Sequence, residues 1–121
     1  MRILVVDDNH DAADSMHLLL ESMNQDVATV YDGSSALAAV RTFDPDVVLL
    51  DIGMPAVSGY EVAQQIGRDR PALTRPVLVA ITGWGQEADR QRARDCGFRY
   101  HFVKPMTESA LRSMLMAVAT K

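Results

Sequence analysis

Short apolar runs that stop abruptly at polar residues set the pattern of this chain. Ile3-Leu4-Val5-Val6 runs into Asp7-Asp8, and Val47-Val48-Leu49-Leu50 into Asp51. Val77-Leu78-Val79-Ala80-Ile81 runs into Thr82, and Phe102-Val103 into Lys104-Pro105. Runs of this length, rich in β-branched residues and lacking polar alternation, predict strands buried on both faces, as in a parallel sheet covered by helices. Val27 to Val30 predicts a further strand, second in order, with Asp32-Gly33 as the turn leaving it.

Between these strands the period changes to that of a helix. Met16, Leu19, Leu20 and Met23 form one apolar stripe, followed by Asn24, which tolerates the left-handed conformation of a helix end. Ala36, Leu37 and Val40 mark a second helix that ends at Asp44-Pro45. Ser58 and Glu61 have capping-box spacing for a third, with Val62, Ala63 and Ile66 inward; Pro71 and Pro76 bracket the loop after it. The fourth, about Gln86 to Cys96, offers only Ala88, Ala93 and Cys96 for burial, while Arg90, Arg92 and Arg94 crowd the rest. At about 25 cal/mol per Å² of apolar area, such small side chains anchor it weakly. Gly97 is a natural end for it, and Thr107 caps a last helix with Leu111, Met114, Leu115 and Val118 inward. Strand and helix alternate five times, which predicts one domain over residues 1–121, a three-layer α/β sandwich around a five-stranded parallel sheet.

Composition narrows the class. A length of 121 residues with 48% hydrophobic content suffices for one core, and argues against disorder. A net charge of −4 argues against nucleic-acid binding within this chain. Cys96 is the only cysteine, which excludes an internal disulfide and a zinc cluster of cysteines. No segment approaches the roughly 20 apolar residues that span a bilayer, and no signal peptide is visible. The expectation is a soluble cytoplasmic protein without membrane contact.

The candidate chemistry comes from the strand ends. Ligands of open parallel sheets bind at the carboxyl ends of the strands. Four strands would there deliver Asp7, Asp8, Asp51, Thr82 and Lys104 to one edge. Gathered carboxylates repel, and hard oxygen ligands suit Mg²⁺, which resolves the repulsion and keeps open positions. Lys104 adds a point charge and Thr82 a hydroxyl, the means of a metal-assisted phosphoryl site, where a carboxylate can itself attack phosphorus. Taken singly, the same residues read as a helix cap (Asp7 or Asp8), turn residues (Asp51, Thr82-Gly83) and a solvated charge on a packed stem (Lys104). Their convergence favours a shared site. His10 and His17 read as surface residues, Cys96 as a small buried side chain, and the Arg90-Arg92-Arg94 run as a solvated face with partner binding as its alternative. Met106, Met114 and Met116 read as packing residues, with exposure at a contact surface as the alternative for Met116, which falls off the core stripe.

Along essentially its whole length the chain resembles a bacterial response-regulator receiver domain. The resemblance is carried by Val5-Val6-Asp7-Asp8, Leu49-Leu50-Asp51-Ile52-Gly53-Met54-Pro55, Ser58-Gly59-Tyr60-Glu61, Ala80-Ile81-Thr82-Gly83 and Val103-Lys104-Pro105, in order. It implies the flavodoxin-like strand order 2-1-3-4-5 and a phosphorylation-activated switch in a two-component phosphorelay. It further implies a phosphoacceptor rather than an enzyme acting on a separate substrate. Asp51 resembles the phosphoacceptor. Asp8 would bind Mg²⁺ directly, Asp7 largely through water, and the Gly53 carbonyl would complete the protein ligands. Thr82 and Lys104 would hold phosphoryl oxygens, and the bond before Pro105 is expected to be cis. The implied partners are a sensor histidine kinase or a histidine-phosphotransfer protein. An output domain or a second copy would meet the surface of the fourth helix, fifth strand and fifth helix.

Two positions depart from the family pattern. His101 stands where the family usually carries Tyr or Phe as the switch residue. This Gly-Phe-x-x-His form resembles receivers of hybrid kinases and tilts the expectation toward a piece of a longer protein. Trp84, two residues past Thr82, and Gly53, two past Asp51, flank the path of an attacking water and are expected to tune the acyl phosphate's lifetime. Other chemistries fit less well. Gly53 occupies the place of the general acid in a haloacid-dehalogenase phosphatase. The cobalamin motif Asp-x-His-x-x-Gly ends here in Ala13, and the Gly-rich loop of an ATPase and the Ser/Thr-rich loops of a flavin carrier are missing.

Overall fold

Five parallel strands form one sheet in the order β2-β1-β3-β4-β5, as the resemblance implied. The computed structural model describes residues 1–54, 58–70, 75–83, 87–104 and 106–119. Along the chain these are β1 (Arg2–Val6), α1 (His10–Ser22), β2 (Asp26–Val30), α2 (Gly33–Phe43), β3 (Val47–Asp51), α3 (Gly59–Asp69), β4 (Val77–Thr82), α4 (Glu87–Asp95), β5 (Tyr100–Val103) and α5 (Glu108–Ala119). Every element expected from the pattern of apolar positions is present. The side chains of residues 87–89, and hence Ala88, lie outside the description, as do Pro71, Trp84 and Pro105.

The two faces of the sheet are sorted by the two-residue period of its strands. Ile3, Val5, Val47, Leu49, Val79 and Ile81 point to one side, where α1 and α5 supply Ala13, Leu20, Leu111, Met114 and Leu115. Leu4, Val6, Val48, Leu50, Leu78 and Ala80 point to the other, against Ala36, Val40, Val62, Ala63, Ile66 and Ala93 of α2, α3 and α4. The central strands are buried on both faces, which is why their sequence runs lack polar alternation. Leu20, Ile66 and Leu111 are fully buried, each contributing about 1.5–3 kcal/mol relative to exposure.

Helix ends follow local chemistry. Asn9 caps α1 by accepting the Ala12 N–H at 3.1 Å, so neither Asp7 nor Asp8 is used as the cap. Asp32, expected in a turn, caps α2 by accepting the Ser35 N–H at 2.7 Å, and Gly33 is already helical. Asn24 and Asp44 take left-handed conformations after α1 and α2, at φ 64° and 52°. Ser58 caps α3, and Thr107 caps α5 through the Ala110 N–H at 3.0 Å.

Helix α4 is held differently from the others. Ala93 is buried, but Arg92 lies with its guanidinium 4.1 Å from the ring centre of Tyr60 on α3. Tyr60 also meets Phe98 edge-on, and the Gln64 amide donates to Cys96 Sγ at 3.6 Å. A cation stacked on an aromatic ring thus partly replaces the apolar face that α4 lacks.

At the start of α3, a Cβ at Gly59 would come within 2.6 Å of Ile52 Cα and 2.8 Å of the Asp51 carbonyl oxygen. Those are backbone atoms that no rotamer change can move aside. Gly59→Ala is therefore expected to lower stability by about 1–3 kcal/mol. Thermal unfolding should show Tm several degrees lower; an unchanged Tm would mean that helix and strand end separate freely.

Candidate functional site

The register of the sheet assembles the site. β1 and β3 are parallel neighbours with Val6 opposite Leu50, so the residues that follow, Asp7 and Asp51, come side by side. β3 and β4 pair Asp51 with Ile81, and β4 and β5 pair Thr82 with Val103, which brings Thr82 and Lys104 to the same edge. The Lys104 N–H donates to the Thr82 carbonyl at 2.7 Å, and the Ile52 N–H to the Ile81 carbonyl at 3.1 Å, extending the ladder past the strand ends.

Three carboxylates result, with one oxygen each from Asp7, Asp8 and Asp51 within 4.8 Å of one another. Asp7 and Asp51 are buried, while Asp8 is exposed. Lys104 Nζ lies 3.0 Å from Asp7 Oδ2 and 3.2 Å from Asp51 Oδ2. The other oxygen of each buried acid accepts a backbone N–H, that of Asn9 for Asp7 at 3.0 Å and that of Gly53 for Asp51 at 2.9 Å. Both carboxylates are therefore fixed in orientation by one ammonium and one amide each.

Burial pushes the Asp7 carboxyl above its ordinary value, and the neighbouring Asp51 adds to this. The Asn9 N–H and Lys104 oppose the rise without cancelling it. Burial works against the Lys104 ammonium as well, but Asp7 and Asp51 outweigh it and hold its pKa above the usual lysine range. At an effective dielectric constant of about 20, each carboxylate pair within 4.8 Å repels by on the order of 3 kcal/mol or more. One lysine relieves only part of this.

Gly53 and Thr82 frame the cluster. A Cβ at Gly53 would touch Asp51 Oδ1 at 3.5 Å, so the bare glycine leaves that approach uncovered. Thr82 is buried at the end of β4. His101 sits on β5 opposite Ala80, half-buried, and lines a pocket beside α4 rather than the acidic cluster. An apolar cavity of about 240 Å³ opens beside Asp7, Asp51 and Lys104, walled by Met16, Leu19 and Met106.

Outside the cluster, His10 stacks on Tyr31 with ring centres 3.9 Å apart, and His17 Nδ1 is 2.6 Å from Thr29 Oγ1. Met114 is buried, and Met116 is exposed, so the alternative reading holds for Met116 and packing does not. Sequence reading overlooked Asn9, which both caps α1 and holds Asp7. Its signal was available, an Asn four residues before Ala13, which extends the stripe of Met16 and Leu20 back toward it. The expectations for Trp84 and the bond before Pro105 lie outside the described residues.

Comparison with known proteins agrees with this geometry. The family model for the response regulator receiver domain matches residues 3–116. The chain is 32% identical over 117 residues to protein PilH of Pseudomonas aeruginosa, spanning 97% of this chain and 96% of PilH. It is 35% identical to the virulence sensor protein BvgS of Bordetella pertussis, over 95% of this chain but only 10% of BvgS. It also spans about half of the transcriptional regulator RpaA of Synechocystis, at 31% identity and 48% of that protein. Among solved structures, chemotaxis protein CheY4 of Vibrio cholerae has the same fold, with a TM-score of 0.89 at 24% identity over 97% of both chains. The chain belongs to the response regulator receiver domain family and is a phosphorylation-activated switch of two-component signalling.

Proposed function

We propose that Asp51 accepts the phosphoryl group, from a phosphohistidine on a sensor histidine kinase or a histidine-phosphotransfer protein. The observation that supports it best is the Asp51 carboxylate held between the Gly53 N–H and Lys104, with Asp7 and Asp8 oxygens within 4.8 Å. An Asp51 oxygen bonds to phosphorus as the phosphorus–nitrogen bond to the donor imidazole breaks, and the electron pair returns to the ring nitrogen. The product remains on the chain as an acyl phosphate, so the domain serves as an acceptor and not as an enzyme on a separate substrate. Such a donor takes its phosphoryl group from ATP, so the chain works in the cytoplasm.

The donor set suits Mg²⁺: hard oxygens only, mutually repelling, with one member's pKa raised by burial and a neighbouring acid. Asp8, Asp51 and the Gly53 carbonyl would hold it directly and Asp7 largely through water. When bound, it supplies positive charge to the phosphoryl oxygens during transfer. Lys104 then serves an oxygen of the phosphoryl group, and the Thr82 hydroxyl another. The acyl phosphate carries close to two negative charges into the cluster. Thr82 is drawn toward it, the segment after β4 follows, and His101 and α4 adjust. The surface of α4, β5 and α5 thereby changes its affinity for an output domain or a second copy. Trp84 and Gly53 tune how long the phosphoryl group persists.

Asp51→Asn should abolish labelling by acetyl phosphate in the presence of Mg²⁺, measured by intact-protein mass; labelling equal to the parent would refute the assignment. A second expectation follows from Asp7. Because its folded pKa is raised, the folded state holds its proton longer than the unfolded chain, and stability falls as pH rises through the interval above 3.8. Asp7→Asn should thus unfold at a higher temperature than the parent in EDTA at pH 7, with the advantage shrinking near pH 3.5. The same variant should lose most of the Tm rise that Mg²⁺ confers on the parent at pH 7. A variant that is less stable in EDTA, or that keeps the full Mg²⁺ response, would contradict this account of the cluster.

A further inference from the structure

The side of the sheet covered by α1 and α5 is left open at its carboxyl edge. Met16 and Leu19 lie on the apolar stripe of α1 but are only half-buried, whereas Leu20 is fully buried. Met106, just ahead of α5, is half-buried as well. These three, with Val5, Leu49 and Ile81, line the apolar part of the cavity of about 240 Å³. Its remaining wall is charged, with Asp7, Asp51 and Lys104. Among the described residues Lys104 is the one cation in that wall, so the two carboxylates outnumber it, and an Asp8 oxygen lies within 4.8 Å of theirs. An apolar chamber thus ends in a net negative charge.

We propose that this cavity binds a small amphipathic amine, its apolar body between α1 and α5 and its ammonium against Asp7 and Asp51, and that occupancy opposes Mg²⁺ uptake. An apolar cavity of about 150 Å³ takes up benzene. The larger volume here has room for one aromatic ring and a short arm. Met16 and Met106 are unbranched thioethers, which adapt to the shape they cover and attract ring edges. Charge selects the head group. A carboxylate has about four lone-pair sites, and Asp7 and Asp51 each engage Lys104 and one backbone N–H. An incoming ammonium can therefore bond both acids without displacing Lys104. An incoming carboxylate would find only an ammonium already shared between two acids. A lysine of a partner protein brings the charge, but its thin stem leaves most of the chamber unfilled, so the occupant is a free small molecule. Neutralising part of the cluster lowers what a divalent cation gains there, and by reciprocity Mg²⁺ lowers the amine's affinity. The consequence for phosphoryl transfer, though not the site itself, rests on the proposed role of Asp51.

The test is an NMR titration of the ¹⁵N-labelled chain in EDTA at neutral pH with phenethylamine, phenethyl alcohol and phenylacetate, which share one aromatic body. For the amine, saturable shifts are expected at residues 5–7, 12–19 and 106. The alcohol should bind about tenfold or more weakly, as loss of a hydrogen bond to a charged group requires, and phenylacetate more weakly still. Ala12→Leu, in the cavity wall, should weaken the amine about tenfold or more by filling its space. Asp7→Asn should shrink the preference for amine over alcohol, and Mg²⁺ should raise the amine's apparent Kd. Shifts lying elsewhere, an alcohol or phenylacetate that binds as tightly, or undiminished binding by a folded Ala12→Leu overturns the site. If Ala12→Leu fails to fold, Asp7→Asn keeps the test, since an undiminished preference overturns the contact with the acids. Tighter binding of N-acetyl-lysinamide would reassign the cavity to a partner's lysine and overturn the small-molecule occupant. Amine binding that ignores Mg²⁺ overturns the competition. Labelling by acetyl phosphate and Mg²⁺ should slow at saturating amine; an unchanged rate overturns the effect on transfer. Absence of labelling without amine would instead count against Asp51.

Discussion

The parallel register of β1 against β3 forces Asp7 and Asp51 into neighbouring positions at one edge of the sheet. Carboxylates do not gather there on their own account, since each pair repels by about as much as one buried aliphatic side chain contributes. The gathering is imposed by the core. Both strands are apolar and buried on two faces, and a one-residue slip would turn every one of those side chains to the wrong side. Packing energy spread over both cores therefore holds a small, highly charged cluster in place. Lys104, delivered from the edge strand β5, completes it.

Charge held in this way is poised to respond. Asp7 and Lys104 both have pKa values above their ordinary ranges, for opposite reasons: burial and a like charge for the acid, two acids overcoming burial for the base. A dianionic group arriving on Asp51, as proposed, would change what Lys104 and Thr82 bond, and these three residues sit at the ends of three different strands. The electrostatic change is local, but its readers sit on separate elements.

The fold also distributes stiffness unevenly around the site. On one face, α1 and α5 press large aliphatic side chains into the sheet; on the opposite face, α3 abuts the strand end so closely that Gly59 has no room for a Cβ. On the other flank, α4 buries Ala93 and leans on a guanidinium stacked over Tyr60. Tyr60 directly follows Gly59, so the element nearest Asp51 and the helix with the thinnest apolar anchor share one contact. This continuity, rather than distance alone, gives the fourth helix a physical link to the acidic cluster.

Much of this was legible in the order of residues, because apolar periodicity and strand-end chemistry are local. The five strands, the five helices, the cap at Ser58 and the meeting of Asp7, Asp8, Asp51, Thr82 and Lys104 all follow from patterns a few residues wide together with the rule for parallel sheets. Less visible were features that a local pattern leaves ambiguous, or whose partners lie far apart in the chain. Asp32 read as a turn and proved to be a cap, since a short acid before Gly serves either purpose until the backbone is placed. Arg92 read as a solvated charge because nothing in its helix announces Tyr60, thirty-two positions earlier. The cavity beside Asp7, Asp51 and Lys104 depends on how α1 and Met106 lie against the sheet. Alternation and capping thus determined the elements and the chemical kinds of side chain at their ends. Only tertiary packing decided which charges became neighbours, at what distance and how deeply buried, because the energy between charges depends on geometry and solvent exposure that no stretch of sequence contains.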